Sequence, residues 1–121
     1  MELTLDLPLP PSVNHCYFTT KSGNRILTAK AKKYISLVQI LAREFVKDQG
    51  WQLNAGNKLI ADMWWHWPDG RRRDVHNYTK VLFDAMEGIV YVDDKYVLPR
   101  HQDYTVDKLE PGVRMHIREV I

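Results

Sequence analysis

The chain has 121 residues, of which 45% are hydrophobic and 26% charged, proportions typical of one globular domain and unlike those of a disordered or fibrous protein. The formal net charge is only +2, but the charges are unevenly distributed. No acid occurs between Asp6 and Glu44, whereas seven acids and three bases lie from Asp84 to Glu110. This pattern is consistent with a polyanion-binding surface beside an acidic site, or with two solvated faces of a soluble domain.

The cellular compartment can be inferred from three features. Cys16 is the only cysteine, which excludes an intramolecular disulfide and favours a reducing compartment. Residues 1–12 lack the charged and apolar regions of a signal peptide. No apolar run approaches the roughly 20 residues that span a bilayer. We therefore expect a cytoplasmic protein that does not bind membranes.

The first predicted element is a strand over residues 2–7, where leucines alternate with polar residues. Prolines at positions 8, 10 and 11 end this strand, and we expect a loop over residues 10–25, with a turn at Ser22-Gly23-Asn24. A long helix follows, with its N-cap at Thr28 and its end near Gln49. The predicted buried stripe of this helix consists of Tyr34, Leu37, Val38, Leu41 and Phe45.

Three lysines, Lys30, Lys32 and Lys33, lie near the start of this helix. The helix N-terminus carries a positive partial charge, so cations are disfavoured there. A bound anion would offset the repulsion. Extension of the long side chains into water is an equally good explanation, and both remain open at this point.

A second strand is predicted over residues 58–67. Both of its faces are mostly apolar, so we expect a central strand that is covered on both sides, with its tryptophans in the core rather than stacked on bases. A second helix over residues 75–87 and strands over 96–106 and 113–120 complete the order β-α-β-α-β-β. This order predicts one α/β (α+β) domain over residues 1–121, with helices packed on a mixed sheet.

The most informative segment begins with three consecutive arginines, Arg71, Arg72 and Arg73, which are costly to bury and suited to phosphate contacts. Asp74 follows at the N-cap position of the second helix. At about 100° per residue, several polar side chains share the side of this helix away from the core. They are His76, Asn77, Lys80 and Asp84. Such a stripe suits a metal ion or a scissile phosphate, although a capping aspartate and a solvated turn are the simpler alternative.

Asp93 and Asp94 form a second candidate site. Adjacent carboxylates repel each other, and a divalent cation would relieve that repulsion. Mg²⁺ commonly takes one or two carboxylates together with phosphate and water. Asp74 meets this pair only if the chain doubles back after Gly88, and a surface turn is the alternative interpretation.

With these motifs in place, the sequence resembles the RusA-type Holliday junction resolvases, a family of small homodimeric endodeoxyribonucleases often carried by prophages. The resemblance covers nearly the whole chain. The matching segments are Pro10-Pro11-Ser12-Val13-Asn14, Tyr17 shortly after it, Pro68-Asp69-Gly70-Arg71-Arg72-Arg73-Asp74, Asn77, Lys80, Phe83-Asp84-Ala85 and Asp93-Asp94.

The resemblance implies a metal-dependent nuclease that resolves four-way DNA junctions by paired phosphodiester hydrolysis in recombination and repair, without a nucleotide cofactor. It implies that Asp74, Lys80 and Asp94 are catalytic, with His76 as a further candidate. The candidate metal ligands are Asp74, His76, Asp93 and Asp94. The candidate DNA contacts are Arg71, Arg72, Arg73, Lys30, Lys32, Lys33, Asn14 and Asn77. Because symmetric resolution needs two opposed nicks, we expect a two-fold homodimer.

One position departs from the family pattern, because the second motif aspartate is His76 here. Mg²⁺ is the expected cofactor, but His76 would favour Mn²⁺, because imidazole is a poorer ligand than carboxylate for Mg²⁺ and suits Mn²⁺ better than it suits Mg²⁺. His76 is a direct ligand, an acid or base, or the sign of a weakened site. We expect an active enzyme because the other matched positions are intact. The alternatives are a non-cleaving module that binds branched DNA and a nuclease for other branched DNA.

Overall fold

A four-stranded mixed sheet with helices on one face organises the fold. The computed structural model describes residues 1–120, and its elements follow the predicted order with short additions near the N-terminus. The elements are β1 (Glu2–Leu7), α1 (Val13–Cys16), β2 (Tyr17–Thr19), β3 (Arg25–Leu27), α2 (Ala29–Gln49), β4 (Leu59–Trp67), α3 (His76–Met86), β5 (Val97–Val106) and β6 (Gly112–Glu119), with a 3₁₀ turn, Asp94–Tyr96, before β5. The predicted α/β (α+β) class is confirmed.

The main sheet has the strand order β1-β6-β4-β5. β6 pairs antiparallel with β1 and with β4, whereas β5 runs parallel to β4. Parallel neighbours need a crossover connection, and α3 lies in the segment that provides it. The crossover brings α3 over β4, where the rings of Tyr78 and Trp67 lie 5.2 Å apart. The site described below is built on this β4-α3-β5 unit.

The core lies on only one face of the sheet, against α2 and α3. The leucines of β1 are buried, as are Trp65 and Trp67 of β4, so the assignment of these tryptophans to the core is confirmed. The opposite face of β4 is only partly covered, since Asp62, Trp64 and His66 are half-buried. The prediction that β4 is covered on both sides is therefore wrong.

Charged side chains explain why the second sheet face stays open to solvent. Arg114 on β6 donates two hydrogen bonds to the carboxylate of Asp6 on β1, at 2.8 and 3.1 Å. Arg118 lies 3.9 Å from Asp62, which adds a second cross-strand ion pair on this face. Burying these groups under a further layer would cost their hydration.

α2 begins and ends as the sequence predicts. The hydroxyl of Thr28 accepts a hydrogen bond from the backbone N–H of Ala31, and Gly50 ends the helix with a φ of 68°. Tyr34 and Val38 are buried as expected, but Leu37 is 46% exposed because it lies at the flank of the buried stripe. No helix within residues 1–120 is long and apolar enough to cross a membrane.

The segment predicted as a loop, residues 10–25, contains regular structure. α1 is a single helical turn, and β2 pairs antiparallel with β3 to form a small hairpin whose turn contains Gly23 at a φ of 86°. The hydroxyl of Thr28 donates to the carbonyl of His15 at 2.8 Å, which ties α1 to the start of α2. Because α1 also contacts α3, this segment borders the site.

Candidate active site

A fixed turn carries the three arginines into α3. The Oδ1 atom of Asp69 accepts a hydrogen bond from the backbone N–H of Arg71 and lies 2.8 Å from the Nη2 atom of Arg73. The backbone hydrogen bond from Arg71 is the main reason that the pKa of Asp69 is lowered. Asp69 therefore stays ionised and holds the segment Asp69–Arg73, called here the arginine loop.

The three arginines of this loop are not equivalent. The Arg73 side chain is only 8% exposed, and its guanidinium lies 5.1 Å from the ring centroid of Trp67. Arg73 also donates to the carbonyls of Asp69 and Arg71. The Arg71 side chain is 81% exposed and Arg72 is exposed as well. Arg73 thus stabilises the loop, while Arg71 and Arg72 project into solvent.

Asp74 caps α3 in the manner predicted. Its Oδ1 atom accepts a hydrogen bond from the backbone N–H of His76 at 3.2 Å, and its carbonyl accepts from Asn77. The assigned helix starts at His76, one residue later than expected, because Val75 already has helical angles without completing the hydrogen-bond pattern.

The polar stripe of α3 lies where the helical spacing placed it. His76, Lys80 and Asp84 follow one another at intervals of one turn, and the Nζ atom of Lys80 is 3.4 Å from the Oδ2 atom of Asp84. The negative charge of Asp84 is the main reason that the pKa of Lys80 is raised, so Lys80 remains an ammonium ion. On the other side of α3, Val81, Leu82, Ala85 and Met86 are buried as predicted, while Val75 and Tyr78 are half-buried.

Three carboxylates meet at the end of α3. One oxygen each from Asp84, Glu87 and Asp94 lie within 4.8 Å of one another, and this set is called here the acidic cluster. The backbone N–H of Asp94 donates to Oε1 of Glu87 at 3.2 Å, which fixes the turn carrying Asp94 against the helix. Burial raises the pKa of Asp94, and the charges of Glu87, Asp84 and Asp93 raise it further.

The acidic cluster lies at the C-terminal end of α3, where negative charge is electrostatically unfavourable. The C-terminus of a helix carries a negative partial charge, which disfavours Asp84 and Glu87 in the last turn of α3. A bound cation would offset both this effect and the mutual repulsion of the carboxylates. Asp93 has a structural role instead. Its side chain accepts a hydrogen bond from the backbone N–H of Lys95 and caps the 3₁₀ turn.

Asp74 and Asp94 lie at opposite ends of α3 in a single chain. The ten residues from Asp74 to Asp84 correspond to about 15 Å of helix rise. Asp74 is therefore not one of the acids that converge around Asp94, although the sequence suggested one shared site. The structure instead gathers Asp84 and Glu87 beside Asp94.

Two separate clefts lie near the two ends of α3, on the surface between α3 and β5 that is called here the groove. At the acidic end, a shallow cleft of about 290 Å³ is lined by Lys80, Asp94 and Pro99, among others. In the middle, the rings of His76 and His101 meet edge to face with centroids 6.2 Å apart. At the other end, a larger cleft of about 660 Å³ lies between the arginine loop and β5 and is called here the arginine cleft.

His101 is held as one neutral tautomer in the middle of the groove. The Nε1–H group of Trp65 donates to Nδ1 of His101 at 3.0 Å, and an indole has no nitrogen lone pair to accept in return. Nδ1 is therefore unprotonated and Nε2 carries the hydrogen. Burial lowers the pKa of His101, and the nearby His76 lowers it further.

A β-bulge aims His101 and Tyr104 at the same groove. In the β4–β5 register, Met63 pairs with His101 and the next residue, Trp64, pairs with Asp103, so Gln102 is the extra residue. Residues 101 and 104 would otherwise point to opposite faces of the sheet. The side chain of Gln102 donates to Oδ1 of Asp62 at 2.7 Å, which anchors the bulge.

The remaining predicted DNA contacts lie outside the two clefts. Lys30, Lys32 and Lys33 are exposed near the start of α2, and Asn14 is exposed on α1. Among the described residues, none of these lines either of the two clefts. The short segment α1–β2 is in contact with the site, because α1 packs against α3 and Tyr17 is near enough to Lys80 to raise the pKa of that lysine. Asn77 is half-buried on α3.

The predicted ligands and catalytic residues did not include Asp84, Glu87 or His101, although Asp84 was on the predicted polar stripe of α3. A signal for the first two was present, because two acids spaced three apart in the last turn of a helix are unfavourable without a cation. No local signal identifies His101, since its placement depends on the β4–β5 register and the bulge.

Comparison with known proteins shows which family the chain is similar to. The family model for Endodeoxyribonuclease RusA matches residues 8–118. A crossover junction endodeoxyribonuclease of Enterobacteria phage HK97 is 33% identical over 73% of this chain and 69% of its own length. The proteins of the same name from Escherichia coli strain K12 and Enterobacteria phage 82 are each 30% identical, over 88% and 87% of this chain and 82% and 81% of their own lengths. The chain therefore belongs to the RusA family of endodeoxyribonucleases.

Proposed function

We propose that this chain is a divalent-metal-dependent nuclease that resolves four-way DNA junctions by paired phosphodiester hydrolysis. The observation that carries the proposal is the acidic cluster, with the ammonium group of Lys80 held beside it by Asp84. The relatives named crossover junction endodeoxyribonuclease support this choice of substrate. A cytoplasmic role in recombination and repair belongs to the same proposal.

The donor set of the acidic cluster fits a hard divalent cation. Asp84, Glu87 and Asp94 offer only carboxylate oxygens, which are the ligands preferred by Mg²⁺ and Mn²⁺. A bound ion would supply an activated water and would stabilise the charge that develops on the phosphate. Because no imidazole belongs to this set among the described residues, the proposal takes Mg²⁺ before Mn²⁺.

Lys80 acts on the reacting phosphate in this proposal. Its raised pKa keeps it protonated, and the ion pair with Asp84 orients it along the groove. An ammonium group in this position donates to a non-bridging oxygen or to the leaving oxygen, where negative charge accumulates. Asp84 thus has two roles, as a ligand and as the group that positions Lys80.

The carboxylate of Asp74 and the imidazole of His76 belong to the arginine end of the groove. We retain both as candidate catalytic and metal-binding residues, with Asp93 as a further candidate ligand beside Asp94. Oδ1 of Asp74 is engaged by the helix cap, which leaves Oδ2 as its available ligand atom. The variants Asp74→Asn and His76→Asp separate a ligand from a structural role at the first two of these positions.

The DNA backbone is proposed to follow the basic surface around the groove. Arg71 and Arg72 contact flanking phosphates, and Arg73 holds their loop in place. The wider surface comprises Lys30, Lys32, Lys33, Asn14 and Asn77. Binding that relies on these charges weakens steeply with salt because condensed counterions are released from the DNA.

A homodimer completes the proposal, because two opposed strands must be cut and the described residues of one chain contain one acidic cluster. Cleavage of a synthetic four-way junction in Mg²⁺, Mn²⁺ or EDTA tests the function. We expect paired nicks with Mg²⁺ and none with EDTA. Binding without nicks under either ion would instead indicate a non-cleaving branched-DNA module, and equal cutting of linear duplex would contradict junction selectivity.

A further inference from the structure

The arginine cleft includes Asp74, which the proposal above retains as a candidate ligand, but the aromatic residues that line the cleft have no role in the proposed hydrolysis. Its floor is formed by the stacked rings of Trp65 and Trp67, whose centroids lie 5.2 Å apart with an interplanar angle of 16°. The arginine loop forms one wall, and the second half of β5 forms the other. Both tryptophans are buried, so neither presents a free ring face to a ligand.

Tyr104 is the aromatic residue that remains available in this cleft. Its side chain lines the cleft and the residue is 69% exposed. Tyr104 pairs with Trp65 in the parallel register, which places both on the cleft side of the sheet. The bulge at Gln102 is what turns Tyr104 to this side. An exposed aromatic ring held over a cleft by an anchored bulge is a suitable platform for a flat ligand.

The opposite wall supplies free positive charge. Arg71 and Arg72 are exposed, and the loop that carries them is fixed by Asp69 and by Arg73 on Trp67. Guanidinium groups on a fixed loop bind phosphate at a lower entropic cost than groups on a mobile one. The arginine cleft thus combines an open aromatic face with two phosphate-binding groups.

A planar group attached to a phosphate is the chemistry of a nucleotide. In a continuous duplex both faces of each base are covered by its neighbours, so a base reaches Tyr104 only after it leaves the stack. Stacking on an aromatic side chain with arginine at the backbone is a common way to bind single-stranded nucleic acid. We infer that the arginine cleft binds one unstacked DNA nucleotide, with its base on Tyr104 and its phosphates on Arg71 and Arg72.

This inference rests on the proposed function, because it takes DNA as the substrate, and it adds a specificity element. A branch point contains bases with fewer stacking neighbours than a linear duplex, so extrusion there costs less. A subsite for an extruded nucleotide therefore favours branched over linear DNA. Tyr104 contributes to substrate selection in this view and does not touch the scissile phosphate.

Binding of a fluorescein-labelled oligothymidylate in EDTA tests the subsite without requiring cleavage. We expect Tyr104→Ala to weaken binding roughly tenfold or more, and Tyr104→Phe to bind like wild type, because stacking needs the ring and not the hydroxyl. Leu98→Ala is the matched control, since Leu98 is exposed on the same strand but pairs with Ile60 on the other face. Its affinity should be unchanged.

A second readout follows the base itself. With 2-aminopurine at the branch point of a four-way junction, wild type and Tyr104→Phe should change the fluorescence on binding, and Tyr104→Ala should not. Unchanged oligothymidylate binding by Tyr104→Ala, or equal losses for the alanine and phenylalanine variants, would overturn the inference. If wild type still nicks junctions in that case, the proposed function stands. If instead the Tyr104 effects appear but no metal-dependent nicks do, the subsite stands and the proposed function fails.

Discussion

The Nζ atom of Lys80 lies 3.4 Å from Oδ2 of Asp84, and Asp84 in turn shares the acidic cluster with Glu87 and Asp94. The ammonium group therefore lies at the edge of the acidic cluster, in contact with one of its three carboxylates. This arrangement places a proton donor next to a set of candidate metal ligands, and the effects of the two kinds of residue can be separated by experiment.

Replacing Lys80 by glutamine should slow junction cleavage by about 100-fold, because a donor to the developing charge is lost. The Mg²⁺ concentration for half-maximal cleavage should not rise, since removing a positive charge does not weaken a cation site. Initial rates across a Mg²⁺ titration measure both quantities, and Lys80→Arg should retain more activity than Lys80→Gln. A defect that excess Mg²⁺ corrects would show that Lys80 supports metal binding instead.

Asp94→Asn should raise the thermal stability of the metal-free protein at neutral pH. The folded-state pKa of Asp94 lies above its unfolded value, so this group makes folding less favourable as the pH rises through that range. Removing the charge removes this penalty. Melting curves with and without Mg²⁺ check the effect: Mg²⁺ should stabilise wild type and should not stabilise Asp94→Asn.

Asp103→Asn serves as the matched control for that measurement, because Asp103 is an exposed acid of β5 outside the acidic cluster. An asparagine retains the oxygen that accepts from the backbone N–H of Tyr104. This variant should keep the wild-type response to Mg²⁺. An equal loss of the response in both variants would indicate diffuse charge screening rather than a site.

Asp74→Asn should abolish cleavage while leaving the fold and junction binding nearly unchanged, because it removes the charge of Oδ2, which is proposed as a separate ligand atom at the arginine end, and removes no phosphate contact. Asparagine caps a helix about as well as aspartate, so the hydrogen bond from His76 can be kept. The melting temperature checks the cap, and gel-shift and cleavage assays on the same junction check function. Survival of cleavage would assign Asp74 a capping role alone.

His76→Asp distinguishes a metal ligand from a groove residue. His76 lies edge to face with His101 and outside the acidic cluster, so we expect the ratio of Mg²⁺- to Mn²⁺-supported rates to stay the same. Rates under saturating amounts of each ion give this ratio. A marked shift towards Mg²⁺ would place residue 76 among the ligands.

The salt dependence of DNA binding should distinguish the arginines that contact phosphate from the arginine that stabilises the loop. Arg71→Ala and Arg72→Ala should each lower the slope of log affinity against log salt by about one, because each removes a phosphate contact. Arg73→Ala should mainly lower the melting temperature, since Arg73 is buried on Trp67 and paired with Asp69. If instead Arg73→Ala changed the salt slope and Arg71→Ala lowered the melting temperature, Arg73 would be the phosphate contact and Arg71 the residue that stabilises the loop.

Local signals in the sequence were sufficient for much of the fold. The alternation in β1, the cap at Thr28 and the stop at Gly50 placed two elements correctly, because each depends on neighbouring residues alone. The β2–β3 hairpin was missed because strands of three residues are too short to show a period of two. The open face of β4 was missed because apolar residues do not indicate on which side the helices pack.

The candidate site was predictable only in part, because local spacing places residues along one helix but does not determine which distant segments meet it. Spacing along α3 placed His76, Lys80 and Asp84 on one stripe, and that placement holds. Which acids converge depends on how the chain returns after Gly88, and this return brings Asp94 to the end of α3 rather than to its start. The position of His101 depends on the bulge at Gln102, which no periodic pattern reveals.

The most direct test of the acidic cluster as the metal site is the rate of four-way junction cleavage by Asp94→Asn across a Mg²⁺ titration. Wild type should produce paired nicks that depend on Mg²⁺. The variant should be slower by about 100-fold or more at every Mg²⁺ concentration, because a ligand of the ion is lost. Cleavage by Asp94→Asn at the wild-type rate would contradict the account.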